Sequence, residues 1–170
     1  MKIKKSIALL GTLAIMILFT GCDESSDNSN NGSVDVAGAW KYKISWRNET
    51  ATTRVESTDN GKIVNNRSGT SGTIQLKLYF TSYKYEGGSI NGYVMAKDTF
   101  DPLESGHSWV NVSFADNVGL PPVGVYYVTL VLLEYDGEYY VKDYINFDDV
   151  MIIYNIPYYE YSYYYYYYYY

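Results

Sequence analysis

The chain has 170 residues, with 19 acidic side chains against 13 basic ones, a single cysteine and a single histidine. A net charge of −6 sets it against polyanions, which disfavours nucleic acid as a partner. One cysteine excludes a disulfide within the chain, and one histidine without further thiols leaves a zinc site no ligand set.

The N-terminus opens with "MKIKK", and Ile7 to Phe19 ("IALLGTLAIMILF") follow as a run of apolar and small residues. A basic head before a short apolar run has the form of a secretory signal peptide. As a helix such a run covers about 20 Å, short of the ~30 Å of a hydrocarbon core, so it does not read as a membrane span. "FTGC" (Phe19, Thr20, Gly21, Cys22) resembles the lipobox of bacterial lipoproteins, with Phe19 where Leu is usual. The resemblance implies cleavage before Cys22, a signal peptide over residues 1–21, and acylation of Cys22. Two or three acyl chains on one residue suffice for stable anchoring. It further implies a location in a bacterial envelope, on the extracytoplasmic side of a membrane. Removing Lys2, Lys4 and Lys5 leaves 13 − 3 = 10 basic residues and deepens the net charge to 10 − 19 = −9.

Asp23 to Asp35 ("DESSDNSNNGSVD") is polar, acidic and almost without apolar side chains. With too little surface to bury it reads as a tether, so residues 22–35 form a lipidated cysteine and flexible linker.

Residues 36–155 form one stretch of single-domain size. Its patterning has the two-residue period of strands. "WKYKISWR" puts Trp40, Tyr42, Ile44 and Trp46 on one face and Lys41, Lys43, Ser45 and Arg47 on the other. "GTIQLKLYF" sets Ile74, Leu76, Leu78 and Phe80 inward and Gln75, Lys77 and Tyr79 outward. "SWVNVSF" alternates Val110, Val112 and Phe114 against Trp109, Asn111 and Ser113. "VYYVTLVLLEY" (Val125 to Tyr135) is apolar on both parities, as a central strand is, and Asp136-Gly137 joins it to "EYYVKDYINF" as a hairpin. Thr52–Ser57, Lys62–Asn65, Gly92–Lys97 and Val150–Ile153 are weaker strand candidates. Seven to nine short strands parted by turn residues predict an all-β fold, a single antiparallel sandwich or barrel.

"PPVGVYYV" places Gly124, Tyr126 and Val128 at the G-x-Y-x-C spacing of immunoglobulin strand F, with Val128 in the place of the cysteine. This resembles an immunoglobulin-like β-sandwich, and implies that the Tyr126 hydroxyl bonds back to backbone just upstream. More loosely, Gly124–Tyr135 and Asp143–Phe147 resemble the repeated motif of accessory modules on bacterial exported proteins, for which no activity is implied.

Candidates for chemistry are few, and no catalytic residue, metal ligand set or cofactor is assigned. His107 in "ESGHSW" has Ser105 and Ser108 close by, but the adjacent Gly106 favours a solvated turn over a nucleophile and base. Asp98, Asp101, Asp143, Asp148 and Asp149 offer carboxylates for calcium or glycoside hydrolysis, yet no spacing fits the calcium loop; acidic turns are the plainer reading. "NET", "NRS" and "NVS" match the glycosylation triplet by chance in a bacterial context.

Aromatic side chains are in excess. Tyr79, Tyr83, Tyr85, Tyr93 and Trp109 fall at outward or loop positions; of these, Tyr83, Tyr85 and Trp109 are the candidate contacts for a glycan or protein partner, although tyrosine also simply suits half-wet strands. After Pro157, eleven of the last thirteen residues are tyrosine. This tail, residues 156–170 with Tyr163, Tyr164 and Tyr165 in its uninterrupted run, lacks alternation to fix a register, so weak or context-dependent order is expected. It reads either as an incidental repeat or as an adhesive strap with an aggregation hazard. The expectation is a non-catalytic, lipid-anchored binding or structural module of a bacterial envelope; the rival is a lipid-anchored hydrolase using acidic loop residues.

Overall fold

The computed structural model describes residues 32–154 with the exception of residue 48. The expected signal peptide, Cys22, most of the linker, and the tail with Tyr163, Tyr164 and Tyr165 lie outside the described residues. Among those described there is no helix, and eight strands form two antiparallel sheets. They are β1 (Val34–Arg47), β2 (Thr50–Asn65), β3 (Ile74–Thr81), β4 (Tyr93–Phe100), β5 (Ser108–Val110), β6 (Ser113–Gly119), β7 (Gly124–Asp136) and β8 (Glu138–Ile153). One sheet runs β1-β2 with β5 and β6 both on the far side of β2; the other runs β4-β3-β7-β8.

The sheets pack face to face because the alternating apolar residues of both point between them. Val36, Trp40, Tyr42, Ile44 and Val55 from the first sheet meet Ile74, Leu76, Leu78, Phe80, Val128, Leu130 and Leu132 from the second in one buried cluster. The inward sets expected for the first strand and for "GTIQLKLYF" are buried as the two-residue period requires, Trp46 only in part. β7 lies between β3 and β8, the central position its apolar composition predicts, and the turn at Asp136-Gly137 leads into β8 with Gly137 at a φ of 79°.

Four expectations are corrected. Thr52–Ser57 and Lys62–Asn65 are parts of one strand, β2. The intervening Asp59 and Asn60 take positive φ and bulge out against Gly38 of β1, where a Cβ would sit 2.4 Å from the Asn60 carbonyl oxygen. Val150–Ile153 is the end of β8 rather than a separate strand. "SWVNVSF", read as one strand, is broken at Asn111, whose φ is 54°; Val110 is therefore exposed, while Val112 and Phe114 stay buried. Val112 exchanges bonds with Ser57 at the same level, so the breaks in β1, β2 and the β5–β6 edge form one kink across the sheet. The first strand also begins at Val34, fully buried, two residues before the expected start of the domain.

The register puts the two ends of the domain to different uses. β1 starts opposite Asn65, whose side-chain amide donates to the Gly69 and Leu103 carbonyls at 2.7 Å each. This entry end therefore carries the β2–β3 loop, the β4–β5 loop and the β7–β8 turn. β8 finishes opposite Gly124, beside the Leu120–Val123 connection and the start of the β3–β4 loop. At about 3.3 Å per residue, a 14-residue β1 separates entry from exit by some 45 Å.

Candidate functional site

At the exit end β7 begins with Gly124, and the Tyr126 ring lies so close that a Cβ on residue 124 would come within 3.2 Å of it. Tyr126 stacks on Phe80 at 5.8 Å, and its hydroxyl donates to the Pro122 carbonyl at 2.7 Å, the bond expected from the Gly-x-Tyr spacing. Val128, two residues on, is fully buried. These residues hold the connection between the sheets.

The outer face of the second sheet, away from the main core, carries most of the candidate aromatics. Its middle is not bare. The β3–β4 loop, residues 82–92, folds back over it, and Tyr85 is 1% exposed rather than available to a partner as expected. The Tyr85 ring meets Tyr144 edge-on at 4.8 Å, its hydroxyl donates to Gly88, and its carbonyl accepts from the Asn146 amide at 2.8 Å. Asn146 in turn accepts from the buried Thr129 hydroxyl. Tyr79, Val131 and Leu133 form a second small core beneath this cover, with Ile90, Val94, Val141 and Tyr144 packed against it. Tyr79 thus points outward as the period requires but is buried. Burial pushes the Tyr79 and Tyr85 phenols up.

Tyr83 remains 51% exposed on the loop and Trp109 is 40% exposed on the short strand β5. Beyond the roofed region the same outer face continues uncovered through Tyr127, Val125, Ile152 and Val150, with Val123 and Tyr154 at its limit. Sequence reading missed this row, since it credited β7 with burial on both faces throughout.

The carboxylates are dispersed. Asp98 lies on β4 opposite Leu76, in the same cross-sheet row as Leu132 and Asp143 on β8. Three strand spacings part Asp98 from Asp143, about 14 Å. Asp148 and Asp149 fall in a bulge of β8 opposite Val128, about 13 Å further along the sheet. Among the described residues no group of three or more His, Cys, Asp or Glu is placed to hold a metal ion. His107 is exposed beside Glu104 at 3.8 Å, and the Ser105 hydroxyl is committed to the Arg67 carbonyl.

Two carboxylates are embedded, and neither stood out in the sequence as buried. Glu134 is 3% exposed inside the apolar run of β7. It accepts from the Gly72 amide at 2.7 Å and from the Arg67 guanidinium, with Lys142 at 3.6 Å. Its burial favours the neutral acid, but these donors and charges outweigh that and hold its pKa below the usual range. Asp143 accepts from the Val36 amide of β1 at 2.8 Å, joining the edges of the two sheets. Burial pushes its carboxyl up, with Asp35 adding to the effect, despite the bonds from Val36 and Tyr144. Both sites fasten segments together.

No family model matches the chain, and neither the curated proteins nor the solved structures contain a match to it.

Proposed function

We propose that the chain is a lipid-anchored, extracytoplasmic binding module of a bacterial envelope, built as an immunoglobulin-like sandwich and without catalytic activity. The observation that carries this reading is the polarity of the domain. β1 enters at one end, where the tether from Cys22 would join, and the exposed Tyr83, Val123, Val125, Ile152 and Tyr154 lie toward the other. A domain held by its N-terminus thereby carries this group of exposed side chains away from the anchoring membrane, as display to a glycan or an envelope protein requires. A second group, Trp109, Val110, Tyr135, Tyr139 and Tyr140, is exposed toward the entry end.

Two features support the immunoglobulin-like assignment. The order β1-β2-β6 against β4-β3-β7-β8 has the arrangement of strands A-B-E against C′-C-F-G, with every neighbouring pair antiparallel. Tyr126 near the start of β7 makes the backward bond of a tyrosine corner at strand F.

Anchoring and display are tested separately. Cys22→Ser is expected to leave the signal peptide uncut or to release the protein from the lipid fraction; a variant that still fractionates with lipid at mature size removes the anchor. For display, a photo-crosslinking side chain is placed at Tyr83 or Tyr154, and in a second set at Ser105 or His107 of the entry end. Adducts to envelope material are expected from the first set alone. Equal adducts from both ends, or from the entry end only, overturn the reading.

A further inference from the structure

The uncovered stretch of the outer face forms a ladder. Tyr127 pairs with Val150 and Val125 with Ile152, and the same register, carried one residue past its last pair Gly124–Ile153, would set Val123 beside Tyr154. All six point away from the main core, with exposures of 38% and 39%, 55% and 53%, 63% and 56% rung by rung. Same-face residues on a strand are about 6.7 Å apart, so the ladder is about 13 Å long with no charged side chain in it. A contiguous apolar strip of β-branched and aromatic residues on a domain this acidic marks a surface that something covers.

We infer that the occupant is the chain's own C-terminal segment, residues 155–170, folded back across the ladder. Three observations select it. The segment departs from the strip itself, because Tyr154, the last described residue, is part of the last rung. Its chemistry fits: sixteen residues carry eleven tyrosines and one charge, Glu160. Asn155 and Pro157 are turn formers, and the thirteen residues after Pro157 reach about 43 Å when extended, more than three times the strip. Third, the molecule already covers the adjoining half of this face in the same manner, with its own tyrosine-bearing loop through Tyr85 over Tyr79 and Tyr144. A tethered segment also acts at an effective concentration near the millimolar range, above that of a separate partner. The segment would then hold its aromatic rings against the sandwich and cover the strip.

The test uses the intact chain, with Val125→Cys or Val150→Cys as reporters and labelling by a maleimide read site by site from digested protein. Val125 and Val150 are exposed, so both variants are expected to fold. Labelling is expected to be slow in the full chain and at least about tenfold faster in a chain ending at Ile156, while Tyr83→Cys labels equally in both. Ile152→Lys, in the full chain, is expected to speed chymotrypsin cleavage within the tyrosine run several-fold. Equal labelling of Val125→Cys in full and shortened chains overturns the proposal. Slow labelling in both that rises on dilution also overturns it, and assigns the strip to a second copy of the chain.

Discussion

The outer face of the β4-β3-β7-β8 sheet is one surface with two halves. Over Leu133, Val131 and Thr129 the β3–β4 loop makes a second core, sealed by Tyr85 and stitched through Asn146. Two residues further along the same strand, Tyr127 and Val125 have neighbours across the sheet and are exposed, with no cover from the described residues. Both halves carry apolar and aromatic side chains on this face. The difference lies in a loop of eleven residues (82–92) that reaches the first half and stops short of the second. Apolar character on both faces of a strand therefore reports a demand for cover, and another part of the chain decides whether and where it is met.

The largest effect expected from breaking this contrast is Tyr85→Ala. It empties the roof of the second core and should cost about 3 kcal/mol or more in denaturant unfolding. Tyr127→Ala removes a ring of the same kind from the bare half and should cost less than about 1 kcal/mol. Similar losses would mean that the loop merely lies on the sheet. Asn146→Ala comes next, at about 2 kcal/mol, because it leaves the Thr129 hydroxyl and the Tyr85 carbonyl without partners in a buried place. In a double-mutant cycle, Asn146→Ala in the Tyr85→Ala background should cost at least about 1 kcal/mol less than alone. Additive losses would separate loop from sheet.

Much of this was legible from local sequence, and the limit is set by distance along the chain. Gly124, Tyr126 and the carbonyl of Pro122 lie within five residues, so the Gly-x-Tyr spacing carried the whole arrangement. The inward sets Trp40–Tyr42–Ile44 and Ile74–Leu76–Leu78 followed from period alone. The fate of Tyr85 did not, because its burial depends on Tyr144 and Asn146, some sixty residues later. Asp59-Asn60-Gly61 misled for a physical reason: the residues that favour positive φ in a turn serve equally in a bulge, and the difference lies with Gly38 on the partner strand. The burial of Glu134, inside the apolar run of β7, was not legible either. Its partners, Arg67 and Gly72, lie more than sixty residues upstream.

Glu134 sharpens the comparison from the other side of β7. Its folded pKa is lowered, so the stability it contributes is full above the unfolded carboxylate value of about 4.3 and is lost as pH falls through the lower folded value. Glu134→Gln should cost about 2 kcal/mol at neutral pH, since Arg67 and Lys142 lose their partner. The same variant should weaken the loss of stability in acid. An unchanged acid limb would show that the cluster has no part in it.

The smallest effect is expected at Asp143, and with the opposite sign. Burial first, then Asp35, raises its folded pKa above the unfolded value of about 3.9. Between those two values the folded state binds the more protons, so its contribution falls as pH rises and levels off above the folded pKa. Asp143→Asn keeps an acceptor for the Val36 amide while removing the charge. It should therefore gain stability at neutral pH, by less than about 1 kcal/mol, and the gain should shrink toward zero as the medium is acidified below about pH 4. Unfolding midpoints of both chains across pH 3 to 8 measure this difference. A loss at neutral pH would mean that the ionised carboxylate itself holds β1 to β8, and that the sheets' meeting edge depends on charge as the Glu134 cluster does.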